Sequence, residues 1–135
     1  MTKTLTGTLL LMLLITACAK NEKPQSPSLA YLLAQGIWRI NLMQNGGSNI
    51  TSAYSPWQFV FQGNKTLKIT DGLNEIGGNW REDTLRQKLI LNVNSSAVEF
   101  ILISQEWDIH YKTPARLTFR DNKISPSQEL QFTRN

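Results

Sequence analysis

The sequence predicts an all-β domain, a small eight-stranded antiparallel up-and-down barrel preceded by a short N-terminal helix. Three observations predict it. Apolar residues between Gly36 and Asn135 recur with period two, which puts alternate side chains on one face of an extended chain. The apolar runs are separated by short Gly, Asn and Asp turns that suit hairpins. Eight strands of about six residues within so short a segment bury two broad sheets less readily than they close on themselves, which also removes exposed edges. Composition agrees: 135 residues with 18% charged, 8 Gly and 5 Pro suit one globular domain and exclude collagen-like, coiled-coil and highly charged disordered classes.

The elements follow in order. Ser28 is placed to cap a short helix through Gln35, with Leu29, Leu32 and Leu33 on one face and Gly36 in the left-handed position that ends it. Such a helix would plug an open edge of the barrel. Trp38, Ile40 and Leu42 then alternate with Arg39 and Asn41 until Asn45-Gly46-Gly47 breaks the strand. Trp57, Phe59 and Phe61 form a second strand, and Gly63-Asn64 turns it into Leu67-Lys68-Ile69. Asp71-Gly72 turns again toward Ile76, Gly78 and Trp80. Four further strands centre on Leu89-Leu91-Val93, Trp107-Ile109-Tyr111, Leu117-Phe119 and Leu130-Phe132. Between them, Val98 to Ser104 reads as a helical turn with a ninth strand as its alternative. Ser96-Ala97-Val98-Glu99 fits a capping box, and Val98, Ile101 and Leu102 fall at helical spacing.

Ahead of the domain, residues 1–17 read as a signal peptide: Lys3, then the apolar run Leu9 to Ile15, then small residues before Cys18. The run is shorter than the roughly 20 residues that span a bilayer. Ile15-Thr16-Ala17-Cys18 resembles the lipobox of bacterial lipoproteins. That resemblance implies cleavage before Cys18 and acylation of it, with diacylglyceryl on the sulfur and a fatty acid such as palmitate on the amine. Several chains anchor stably where one binds only marginally. Ala19 after the Cys implies, in the best-known sorting system, an outer-membrane lipoprotein, on the periplasmic face or the cell surface. Ala19-Lys20-Asn21-Glu22-Lys23 also resembles the Lys-plus-acidic surface-export tags of some Gram-negative lipoproteins, with fewer acidic residues. Residues 18–27, polar and carrying Pro24 and Pro27, read as the acylated Cys and a flexible tether, and residues 28–135 as the barrel.

Gly36-Ile37-Trp38, directly after a short helix and opening the first strand, resembles the Gly-x-Trp signature that begins the lipocalin barrel. A second Gly-x-Trp at Gly78-Asn79-Trp80, the aromatic Trp57-Gln58-Phe59-Val60-Phe61, Glu106-Trp107-Asp108-Ile109 and the closing Leu130-Gln131-Phe132 extend the likeness to the short lipocalin-like domain lipoproteins of Gram-negative bacteria. The resemblance implies that Trp38 packs at the closed end beneath a late-strand arginine, Arg134 or Arg120. The chain is shorter than full-size lipocalins, and Gly36 and Gly78 also suit places where a strand bends.

Chemistry-bearing patterns are sparse. The single His110 lies two residues from Asp108, about 6.6 Å along a strand, too far for a direct orienting hydrogen bond. No Gly-x-Ser-x-Gly elbow or phosphate-binding glycine loop occurs. One His and one Cys cannot build a structural zinc site, and Asp71, Asn74 and Glu75 lack the alternation of a calcium loop, so no metal and no cofactor is expected. Lys65, Lys68, Arg81, Arg86 and Lys88 lie opposite the aromatic face, and a net charge of +4 is small, so nucleic acid is not an expected partner. Asp83-Thr84-Leu85 resembles the acceptor site of one bacterial O-glycosylation system, with a plain turn as its alternative.

The expected function is therefore non-enzymatic, with no catalytic residues. One reading is a membrane-anchored module that binds or sequesters a small hydrophobic ligand outside the cytoplasm. The inward set is Trp38, Leu42, Trp57, Phe59, Phe61, Leu67, Ile69, Trp80, Leu91, Trp107, Tyr111, Phe119 and Phe132. Counting the Trp107–Tyr111 strand as the seventh makes it parallel to the first. Trp57 and Tyr111, with Leu42 between them, then fall at the mouth opposite Trp38 and are the expected ligand contacts. The alternative is a barrel filled by these same large side chains, acting on a protein partner as an enzyme inhibitor or a subunit of a surface complex through loops such as Gly46 to Pro56.

Overall fold

A computed structural model describes residues 26–123 and 125–135, so Cys18, the signal peptide and most of the tether lie outside the described residues. The elements run α1 (Leu29–Leu33), β1 (Ile37–Asn45), β2 (Ser48–Asn49), a 3-10 turn (Thr51–Tyr54), β3 (Gln58–Phe61), β4 (Thr66–Thr70), β5 (Glu75–Asp83), β6 (Lys88–Val93), α2 (Val98–Ile103), β7 (Glu106–Lys112), β8 (Arg116–Asp121) and β9 (Gln128–Arg134). All strand pairings are antiparallel. β1 pairs with both β3 and β9, so the order β1-β3-β4-β5-β6-β7-β8-β9 closes on itself as an eight-stranded barrel, and β2 only extends β1 as a hairpin.

The eight barrel strands coincide with the eight apolar runs because period-two alternation is what a half-buried strand requires. Side chains at the inward positions fill the centre: Phe59, Phe61, Phe119 and Phe132 meet edge to face at centroid separations of 5.3 to 6.2 Å, and Phe61 continues the contact to Trp80 at 5.8 Å. Edge-to-face rings gain from their quadrupoles beyond the area they bury.

Each end of the barrel is plugged by a short helix. At one end α1, capped by the Ser28 hydroxyl, which accepts from the Tyr31 amide, buries Leu29, Leu32 and Leu33. The Trp38 indole Nε1 donates to the Leu33 carbonyl at 2.9 Å. At the other end α2 buries Phe100 and Ile103, and Trp107 Nε1 donates to the Ile103 carbonyl at 2.9 Å. Tyr54, fully buried in the 3-10 turn, closes the same end by donating to the Glu99 carbonyl at 2.6 Å. Both tryptophans thus satisfy a helix-terminal carbonyl that burial would otherwise leave without water.

Several expectations are corrected here. Gly36 does not take a left-handed φ; α1 ends at Ala34 in right-handed geometry, and Gly36 instead leaves room for the Arg134 side chain, whose Nε would lie 3.1 Å from an added Cβ. α2 is a helix as expected, but its N-cap is Ala97 with no side-chain cap, and Val98 and Ile101 point to solvent. Leu42 is not inward. A register shift between Ile40 and Leu42 pairs Leu42 with Gln131 on the outer face, and Met43 takes the buried place. Tyr111 is likewise outside, 53% exposed, because a shift between Ile109 and Tyr111 reverses the alternation.

Candidate functional site

The expected ligand contacts are not brought together. Trp57 is half-buried at the α2 end, edge-on to Phe100 at 5.2 Å. Tyr111 lies at the α1 end, because β7 is the sixth barrel strand and so runs antiparallel to β1. Leu42 is on the outer wall of β1. The mouth predicted opposite Trp38 is occupied by α2 and Tyr54, and the loop Gly46 to Pro56 is in part packed there through Tyr54.

The signature residues have structural surroundings. Trp38 is fully buried and faces Arg134 in register across β1 and β9. Arg120 pairs instead with Glu129 at 3.4 Å on the outer wall. The cation found over an indole is Lys65, whose Nζ is 4.3 Å from the Trp80 ring centre. Lys65 reaches it from a left-handed turn position, and Trp80 Nε1 donates to the Gln62 carbonyl. Gly78 is where β5 and β6 approach most tightly: an added Cβ would fall within the contact distance of the Asn92 carbonyl oxygen and 3.1 Å from Val93 Cα.

Most of the other charged residues singled out in the sequence are engaged. Asp108 receives Lys88 at 2.8 Å, and His110 stands exposed at the β7 irregularity. Lys68 meets Glu75 at 3.3 Å. Arg86 bridges Asp83 at 2.8 Å and Glu106 at 2.9 Å, and its guanidinium holds both carboxyls below their usual range. Asp71 accepts from the Leu73 and Asn74 amides in the turn at Gly72, and those bonds keep its carboxyl ionised below the ordinary value. Asp83-Thr84-Leu85 opens the β5–β6 hairpin, with Leu85 96% exposed.

Among the described residues a cleft of about 370 Å³ lies at the α1 end, lined by Tyr111, Thr113, Ala115, Arg116, Thr133 and Arg134. The β7–β8 hairpin forms one wall and the end of β9 the other. Thr113 holds the hairpin by accepting from the Arg116 amide at 3.0 Å, and the Arg134 amide donates to Ala115. The sequence gives Arg134 only a structural part and carries no motif that singles out Arg116 or Thr133. Their outward parity was legible; their convergence required the β8–β9 register, in which Arg116 faces Thr133.

No family model matches this chain, and no curated protein matches it. Among solved structures it is similar to a DUF4847 family protein from Bacteroides vulgatus, with 13% identity, a TM-score of 0.60, and alignment over 80% of this chain and 98% of that one. That likeness shows the barrel fold.

Proposed function

We propose that this chain is a membrane-anchored, non-enzymatic barrel that works through its outer surface as an interaction module, its interior serving stability rather than carriage of a small hydrophobic ligand. The observation that supports this most directly is the aromatic cluster inside the barrel, in which Phe59, Phe61 and Phe119 each pack edge-on against Phe132 while α1 and α2 close the two ends. Eight-stranded barrels are just wide enough to be filled by side chains or to hold one small ligand. Here ring contacts occupy the space a ligand would need. The anchor rests on the resemblance of Ile15-Thr16-Ala17-Cys18 to a lipobox and places the protein at the outer membrane, facing the periplasm or the outside.

Two measurements on the full chain test the reading. Fatty-acid probes titrated through the micromolar range should give no saturable quenching of tryptophan fluorescence. Saturable quenching that Trp57→Phe removes would restore ligand carriage. Labelled palmitate should enter the wild type and be absent from Cys18→Ala; retained label in the variant would refute the anchor.

A further inference from the structure

At the α1 end the rim of β8 and β9 carries arginines that meet no carboxylate. Other basic side chains do meet one: Lys68 with Glu75, Arg86 with Asp83 and Glu106, Lys88 with Asp108, and Arg120, further along β8, with Glu129. Arg39, Arg116 and Arg134 meet none among the described residues. In register, Thr133 lies between Arg39 on β1 and Arg116 on β8; Arg39 turns its guanidinium to the Ser55 carbonyl at 3.2 Å, and Arg116 stays with Thr133 in the cleft. Arg134 follows Thr133 at the rim, and Arg116, Thr133 and Arg134 share the cleft with Tyr111. Like charges gathered without counter-charges repel one another, and an anion between them relieves that repulsion.

We propose that this cleft binds a phosphate group, a ligand class that deepens the reading of the outer surface as the working part of the molecule and rests on it. A guanidinium presents a planar fork of donors that matches oxyanions two bonds at a time. A planar carboxylate is satisfied by one such fork, whereas a tetrahedral phosphate offers more oxygens than one fork can take, and Arg116, Arg134 and the Thr133 hydroxyl line the same cleft. The half-exposed Tyr111 ring stands at the same cleft to cover whatever organic group carries the phosphate.

Two sources share that chemistry, a soluble phosphate compound and the headgroup of a phospholipid. The second is within reach. α1 is the first described element and plugs the same end of the barrel as the cleft, so the segment carrying Cys18 joins the domain there. Fully extended, the ten residues 18–27 span at most about 35 Å. Leu85, on the β5–β6 hairpin, and Tyr31, on α1, are exposed at this end as well.

The test follows backbone amide signals of Ala115, Arg116 and Arg134 in the full chain held in zwitterionic micelles while inorganic phosphate is added. In parallel, hydrogen exchange of 111–116 and 132–134 is compared in phosphatidylcholine vesicles with and without phosphatidylglycerol. Saturable shifts with inorganic phosphate assign a soluble ligand. Protection that appears only with phosphatidylglycerol assigns the headgroup. In the responding arm, Arg116→Gln and Arg134→Gln should each weaken the effect by about tenfold or more, the size expected for a lost charge-assisted pair. Arg120→Gln, which removes an outer-wall arginine already paired with Glu129, should leave it unchanged. A response in neither arm, or an equal loss in Arg120→Gln, overturns the proposal. Neither outcome depends on the interior probe titration, so failure of the cleft and failure of the filled-core reading are separately visible.

Discussion

At the residue scale, the largest stabilising contribution per side chain comes from the tryptophans that join helix to barrel. Trp38 is fully buried and its only polar atom is satisfied by Leu33, so Trp38→Ala loses transfer energy, leaves a cavity and orphans a carbonyl. A cost of about 3 to 5 kcal/mol is expected from the urea midpoint, against well under 1 kcal/mol for the exposed His110→Ala. Charge acts on a smaller scale and with a definite sign. Hydrogen bonds from Arg86 lower the pKa values of Asp83 and Glu106 from the ordinary 3.8 and 4.5. Lowered carboxyl pKa values mean stability that is complete above those ordinary values and is lost as pH falls through the folded ones. Stability measured by urea unfolding should therefore decline below about pH 4.5, and Arg86→Gln should flatten part of that decline. The effect should be small, since these groups face solvent and are screened. Tyr54 behaves oppositely. Burial first, and then the Glu99 carboxylate, push its phenol above the ordinary value of 10.0, so its contribution persists through neutral pH and fades only in strong alkali.

At the element scale, two irregularities decide what each strand presents. β1 and β7 both begin in phase, with Trp38 and Trp107 inward, and both slip by one before they end. Alternation read from the sequence assumes a constant phase, which is why Leu42 and Tyr111 were assigned inward and are not. α2 shows a related limit: Val98, Ile101 and Leu102 fall at helical spacing, but the barrel mouth takes Phe100 and Ile103, and Val98 and Ile101 face solvent. Close strand approach gives the sharpest prediction at this scale. Gly78→Ala would drive a methyl into the β6 backbone at Asn92 and Val93, so it should part the strands and lower the melting temperature by several degrees. Gly77→Ala, where an added Cβ meets nothing within 4 Å, should change it little.

At the scale of the whole molecule, closure of eight strands removes the sheet edges, and the short helices then cover the two ends of the barrel. The number of strands, their turns and most of the inward set were legible in the sequence, because alternation, turn chemistry and chain length are local or additive properties of the chain. The direction of the Trp107–Tyr111 strand follows from the count alone, since it is the sixth run and not the seventh; which end each helix closes and the slips that put Leu42 and Tyr111 outside were not legible, since each depends on packing and register between strands. Local chemistry thus determined that this protein is a small antiparallel barrel. Only the tertiary structure decided that rings from β3, β8 and β9 meet at its centre and that Arg116 and Arg134 share one cleft, because register and the seating of each helix are set by contacts between segments that no single segment encodes.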